Sequence, residues 1–243
     1  MNFTPPTDAC HEYVLEDGTK ALTVTAILEG VGASKGFADA PGFVQERAAA
    51  KAEIGGQAHK AFAYWLRGEL DESSVPEECM GYLRAACRFA KEKKFVPDLV
   101  EHAMVAQVNG AWVGGTVDFT GTAQGLSRKV RGRVRVVGDL KCAFGKEKHW
   151  PLQLAGYQVL LHENGLEGGY RLNVHLFPDG TYRLLCYPER SKEQGGADAN
   201  DQQVFRAAVA VEAWKRSRRK VMRVTKRTRA GRQNKRRVGE EAA

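Results

Sequence analysis

The residues of this sequence that could do chemistry are the acid and the ammonium of "VVGDLKCAF", residues 136–144. In a β-strand successive side chains alternate faces, so Asp139 and Lys141 share one face while Leu140 turns to the other. A weak ion pair at an exposed strand end, worth ~0–1 kcal/mol, fits the same letters. A further acid, Asp118, follows "GGTV" on the preceding strand-like run, where neighbouring strands could bring the two carboxylates close. Two close carboxylates in a partly buried place repel unless one is protonated or a cation joins them. A hard divalent ion answers that cost, because magnesium takes a few carboxylates, a carbonyl and several waters and leaves room for a phosphate oxygen. Lys141 would then stabilise charge on a scissile phosphate or help to deprotonate a water. The chemistry implied is metal-assisted phosphodiester hydrolysis.

Those residues need elements to hold them. "ERAAAKAEIGGQAHKAFAYWLRGEL" is rich in helix formers and puts Ala58, Phe62 and Trp65 on one stripe, and "EECMGYLRAACRFAKEKKF" is a second amphipathic helix. Three strand-like runs follow, "LVEHAMVAQVN", "AWVGGTVDFTG" and "RVRVVGDLK", separated by Asn-Gly and by a Gly-, Ser- and Arg-rich turn. "WPLQLAGYQVLLHENG" is a helix with Pro151 in its first turn and Gly165 just past its end. "YRLNVHLFPDGTYRLLCYPE" is a hairpin turning at Pro-Asp-Gly, and "DQQVFRAAVAVEAWKRSR" is a last helix. "ALTVTAILEGVG" is compatible with a short strand or with a strand leading into a helix. Helices before and after a central meander, with one helix between strands, give an α/β sheet covered on both faces.

At 243 residues the chain suits one large domain or two small ones. Its net charge of +8 is unevenly distributed: residues 215–237 carry thirteen Lys or Arg and no acid, while the rest is slightly acidic. The expected division is a folded domain over 1–214 and a basic tail over 215–243 that is disordered, or a frayed helix, until a polyanion holds it. Lys215, Arg216, Arg218 and Arg219 begin that tail, with nucleic acid as the expected partner through phosphate rather than base contacts. A solubilising tail is the plainer alternative. The five cysteines show no CxxC spacing, which argues against a disulfide framework or structural zinc. No signal core or membrane span is visible, so a soluble, cytoplasmic protein without membrane partners is expected.

Taken in order, "GGQAH", "VEHAMV", "GGTVDF", "VVGDLK" and "LQLAGYQ" resemble the RecB-type branch of the PD-(D/E)XK nuclease superfamily, which includes phage and mitochondrial exonucleases. The likeness spans roughly residues 55–158, and "YVLEDGTKALTVTAIL" looks like the lead-in of some members. A lone DxK is nearly worthless; five pieces in order on the right elements are a strong signal. The resemblance implies a restriction-endonuclease-like core with a mixed central sheet. It also implies that His59, Asp118 and Asp139 ligate Mg²⁺ or Mn²⁺ beside the Leu140 carbonyl, and that Lys141 is the catalytic lysine. By the same resemblance Gln153 and Tyr157 belong to a QxxxY helix that braces the site or touches DNA, and Glu101 is an upstream glutamate assisting a second metal. Gln153 and Tyr157 lie one turn apart and share a helix face, which also fits ordinary packing.

The chain departs from the family at Val117, where proline often precedes the first acid. The iron–sulfur cluster of some relatives is not expected, since only Cys10 lies near the start and only Cys186 late. No GxxxxGK[ST] loop occurs, so any unwinding would come from a helicase or recombination partner. His11, His102, His149, His162 and His175 form no convincing cluster with acids and are read as structural. The expectation is a metal-dependent deoxyribonuclease, an exonuclease acting on DNA ends or single strands in recombination, repair or phage replication. A noncatalytic nucleic-acid binder on a decayed nuclease fold and a restriction-type endonuclease are the alternatives.

Overall fold

The computed structural model describes residues 2–5, 12–34, 41–127, 130, 132–143, 148–187 and 200–218. A short hairpin of β1 (Phe3–Thr4) and β2 (Val14–Leu15) leads into β3 (Leu22–Thr23) and α1 (Val24–Gly30). The segment left open between strand and strand-then-helix is therefore the latter. Thr23 makes the switch by capping α1, its hydroxyl accepting the Ala26 N–H at 3.1 Å. Two long helices follow, α2 (Gly42–Arg67) and α3 (Glu77–Glu92), and then the meander of β4 (Val96–Val108), β5 (Ala111–Gln124) and β6 (Arg133–Lys141). Helix α4 (Trp150–Glu163) crosses over to β7 (Tyr170–Leu176), which turns back into β8 (Tyr182–Tyr187). The last helix, α5, covers residues 200–218.

The sheet runs β3-β5-β6-β7-β8, with β4 pairing the other edge of β5. It is mixed: β3–β5 and β6–β7 are parallel, while β4–β5, β5–β6 and β7–β8 are antiparallel. The β4–β5 turn is Asn109-Gly110, with both residues at positive φ (48° and 77°), the form a two-residue hairpin requires. Helices α2 and α3 cover one face, where Phe62, Phe89, Phe95 and Phe119 meet; α1, α4 and α5 cover the other, where Ile27, Leu160, Phe205 and Val209 are fully buried. The chain is thus α/β, with a mixed central sheet between helical layers.

The alternation of faces breaks at one place. Val113 and Val117 face the α1–α4–α5 layer, yet Phe119 and Ala123, also at odd positions, face α2 and α3. On β4, Leu99 and Met104 both face the first layer although their parity differs. Both strands therefore slip by one residue at Glu101 and Asp118, which stand opposite each other but drop out of the ladder between Val100↔Phe119 and His102↔Val117. Glu101 takes a left-handed φ of 49° there. A bulky residue in that region of the backbone costs about 1–3 kcal/mol, and such strain gathers at functional sites.

Candidate metal centre

The slip at Glu101 and Asp118 turns a row of polar side chains toward one point. Register sets Glu101 on β4 against Asp118 on β5, and β6 carries Asp139 one step beyond the Phe119↔Gly138 pair. Asp139 is paired in turn with Asn173 on β7. Residues 115–118 have no strand partner on the β6 side of β5, because β3 pairs only Val113 and Gly114 and β6 begins pairing at Phe119. The two acids sit at that parting of the strands.

His59 comes to the same point from α2, its Nδ1 3.2 Å from Asp118 Oδ2, and ligand atoms of His59, Glu101 and Asp118 lie within 4.8 Å of one another. The Leu140 N–H donates to Asp118 Oδ2 at 2.7 Å. Since N–H and C=O of one strand residue project to the same edge, the Leu140 carbonyl also faces the parting. Lys141 Nζ lies 2.7 Å from Asp139 Oδ2 and donates to Gln153 Oε1 at 2.8 Å, and Gln153 Nε2 donates to the Tyr157 hydroxyl at 3.1 Å. Gln153 and Tyr157 are almost buried, so they fix the ammonium from the α4 side.

Three participants have no place in the sequence reading. Asn173, fully buried, donates to Asp139 Oδ2 at 2.8 Å; the signal available for it was an amide within the strand run "LNVHL". Arg67 donates to the Val100 carbonyl at 3.0 Å and pulls on the charge of Glu101. Cys142 adds to the upward shift of His59. On α2, a Cβ on Gly55 would lie 3.7 Å from Cys142, an ordinary contact, and nothing stands within 4 Å of one on Gly56.

The first basic residues of the expected tail are engaged with the folded body or with a neighbouring ring. Lys215 Nζ donates to the Gly30 carbonyl at 2.5 Å and to Glu212 Oε1 at 2.6 Å, tying α5 to the end of α1. Arg216 donates to the Lys20 carbonyl at 3.3 Å, and Arg218 lies over the Trp214 ring at 5.8 Å. Arg219 and the rest of the tail lie outside the described residues. His175, read as structural, is buried against Trp150 and Phe177, with Nε2 at 2.5 Å from the Ala143 carbonyl.

No family model and no curated protein match this sequence. Among solved structures, one described as the crystal structure of SSO0001 aligns at 16% identity with a TM-score of 0.31, over 56% of this chain and 62% of that one. The chain thus spans less than two thirds of that structure, and the likeness is too low to bear on fold or function.

The charges of the site hold one another in tension. Burial, and then the Asp118 charge, push the Glu101 carboxyl up to about 7. Burial pushes Asp139 up to about 6, against the downward pull of Lys141 and with the Asp118 charge adding to it. Burial would lower His59, but Asp118 and Cys142 outweigh it and hold the imidazole well above its ordinary value. Burial also acts upward on Asp118, and there His59, Lys141 and the Leu140 N–H prevail, keeping it below the usual carboxylate range. The raised values of His59, Glu101 and Asp139 thus favour holding protons where carboxylates crowd together. A divalent cation would do the same work, and the donor set of imidazole, carboxylates and one carbonyl suits a magnesium- or manganese-like ion.

Among the described residues no helix is long and apolar enough to cross a membrane.

Proposed function

We propose that this chain is a Mg²⁺- or Mn²⁺-dependent deoxyribonuclease that hydrolyses phosphodiester bonds, working as an exonuclease on DNA ends or single strands inside the cell. The observation that carries the reading is the convergence of His59, Glu101 and Asp118 within 4.8 Å at the strand parting where Asp139 and Lys141 form their 2.7 Å pair. A binding protein needs no such arrangement, since bare carboxylates repel phosphate.

His59, Glu101 and Asp118 would hold the ion, with the Leu140 carbonyl and the Lys141-paired Asp139 carboxylate beside them. Bound there, the ion supplies Lewis acidity toward a phosphate oxygen and neutralises the acids. Lys141 offers an ammonium held by Asp139 and Gln153, ready to donate to a phosphate oxygen as charge develops on it. Gln153 keeps the ammonium in place, and Tyr157 supports the amide that does so. Asn173 holds the Asp139 carboxylate from the neighbouring strand. The basic tail would add phosphate contacts that do not read sequence.

The test is incubation of the full chain with end-labelled linear DNA and with closed circular DNA, each with Mg²⁺, Mn²⁺ or EDTA. Metal-dependent loss of the linear substrate alone is expected, with the released label giving the polarity. Cutting of the circle would make the protein an endonuclease, and binding without cleavage under every condition would contradict the assignment.

A further inference from the structure

The segment 13–28 plays no part in the metal centre, yet it folds back beside it. Tyr13 packs its ring on β5 and its hydroxyl is 2.8 Å from Thr116 Oγ1, two residues before Asp118. Thr23 and Thr25, around the start of α1, stand across from them, and Tyr157 closes the α4 side. Between these groups is a cavity of about 200 Å³ along the stretch of β5 edge that has no strand partner.

Glycines make this space. A Cβ on Gly114 would come within 2.4 Å of the Tyr13 ring, and one on Gly115 within 2.9 Å of Leu160 and 3.1 Å of Tyr157. Only a strand without side chains at both positions lets two tyrosines stand against it. The walls are hydroxyl, aromatic and apolar, and among the described residues no charged side chain lines the cavity. That chemistry suits a neutral polar group with a flat apolar face and offers nothing to a phosphate, whose cations lie at Lys141 and the metal centre.

We propose that this cavity receives one unpaired nucleoside of a DNA strand, the unit adjoining the phosphate that is cut. The proposal rests on the nuclease reading and extends it to the form of the substrate. At about 200 Å³ the cavity falls below the ~300–1,000 Å³ of drug-sized pockets, so it admits a single sugar and base and excludes a base pair. The terminal nucleotide must therefore leave its duplex partner before cleavage. The threonine hydroxyls and the unpaired backbone edge give polar contacts to the sugar and base, and the tyrosine rings give apolar ones.

The experiment measures binding of a labelled single-stranded oligonucleotide by full-length protein in Ca²⁺, with an abasic residue moved along the strand. Wild type is compared with Thr25→Leu, which fills the cavity from an exposed helix position and is confirmed folded by an unchanged unfolding midpoint. One abasic position is expected to weaken wild-type binding about tenfold. Thr25→Leu should bind the intact strand about tenfold more weakly than wild type does and be indifferent to that position. Equal binding by the two proteins, or no position at which the abasic residue matters, would overturn the proposal. Failure of the nuclease reading shows separately, as a wild type that cuts no DNA with Mg²⁺ or Mn²⁺. A wild type that binds without cutting leaves the comparison intact, and one that binds no DNA overturns the proposal as well.

Discussion

Replacing Lys141 by Met tests whether its ammonium keeps Asp139 ionised. Nζ lies 2.7 Å from Asp139 Oδ2, and the Asp139 side chain is only 4% exposed. Breaking a buried pair costs about 3–5 kcal/mol when the survivor stays charged. Asp139 has an escape, because burial already sets its carboxyl at about 6 with Lys141 pulling it down. Without the ammonium it titrates higher and takes up a proton, which lowers stability by about 1.4 kcal/mol for each pH unit between the unfolded Asp pKa and the raised folded one. The folded chain then holds a proton that the unfolded chain, with Asp near 3.9, has released, so stability falls as pH rises until the carboxyl ionises. In the wild type that fall ends near pH 6; in Lys141→Met it continues upward. Urea unfolding of both proteins in EDTA at pH 5, 7 and 8 should show their stability gap widening as pH rises, by at most about 1.4 kcal/mol per unit. The gap should be smallest at pH 5, where the cost of protonation is least. A gap equal at all three pH values would refute the coupling.

Metal binding should release protons near pH 6.5, since Glu101 at about 7, Asp139 at about 6 and the raised His59 must give them up to hold an ion. Calorimetry in buffers of different ionisation enthalpy reads their number, and affinity should rise from pH 6 to pH 8. Gly81→Ala should cost about 1–3 kcal/mol or more in unfolding free energy, because its Cβ would lie 1.8 Å from the Pro178 carbonyl oxygen, a backbone atom that cannot swing aside. Deleting residues 219–243 removes ten Lys or Arg and should flatten the salt dependence of single-strand binding, by as much as about 7 in the log–log slope if each meets a phosphate.

Much of the frame is legible because local signals and tertiary packing agree. The run "RVRVVGDLK" forms β6 over Arg133–Lys141, and Asp139 and Lys141 share a face as period-2 alternation requires. Pro151 opens α4 and Gly165, at φ 71°, follows its end. Other features depend on neighbours distant in sequence. The slip at Glu101 and Asp118 needs two strands to change phase together, and no letter in "LVEHAMV" announces a left-handed glutamate. Asn173 becomes part of the site only through the parallel register of β6 and β7. Helix α2 begins at Gly42, four residues before its run of strong helix formers, after Pro41. Lys215 and Arg216 read as part of a charged block, yet carbonyls at Gly30 and Lys20 recruit them to the folded body.

The central claim is that Lys141, held by Asp139 and Gln153, serves phosphodiester cleavage at a metal centre. The most direct measurement is the single-turnover rate of Mg²⁺- or Mn²⁺-dependent DNA cleavage by Lys141→Ala beside wild type, with binding of the same DNA measured in Ca²⁺. The account predicts a rate loss of about 10²–10³-fold, as for other positioned donors to developing charge, with affinity nearly unchanged. A variant that cuts as fast as the wild type would contradict it.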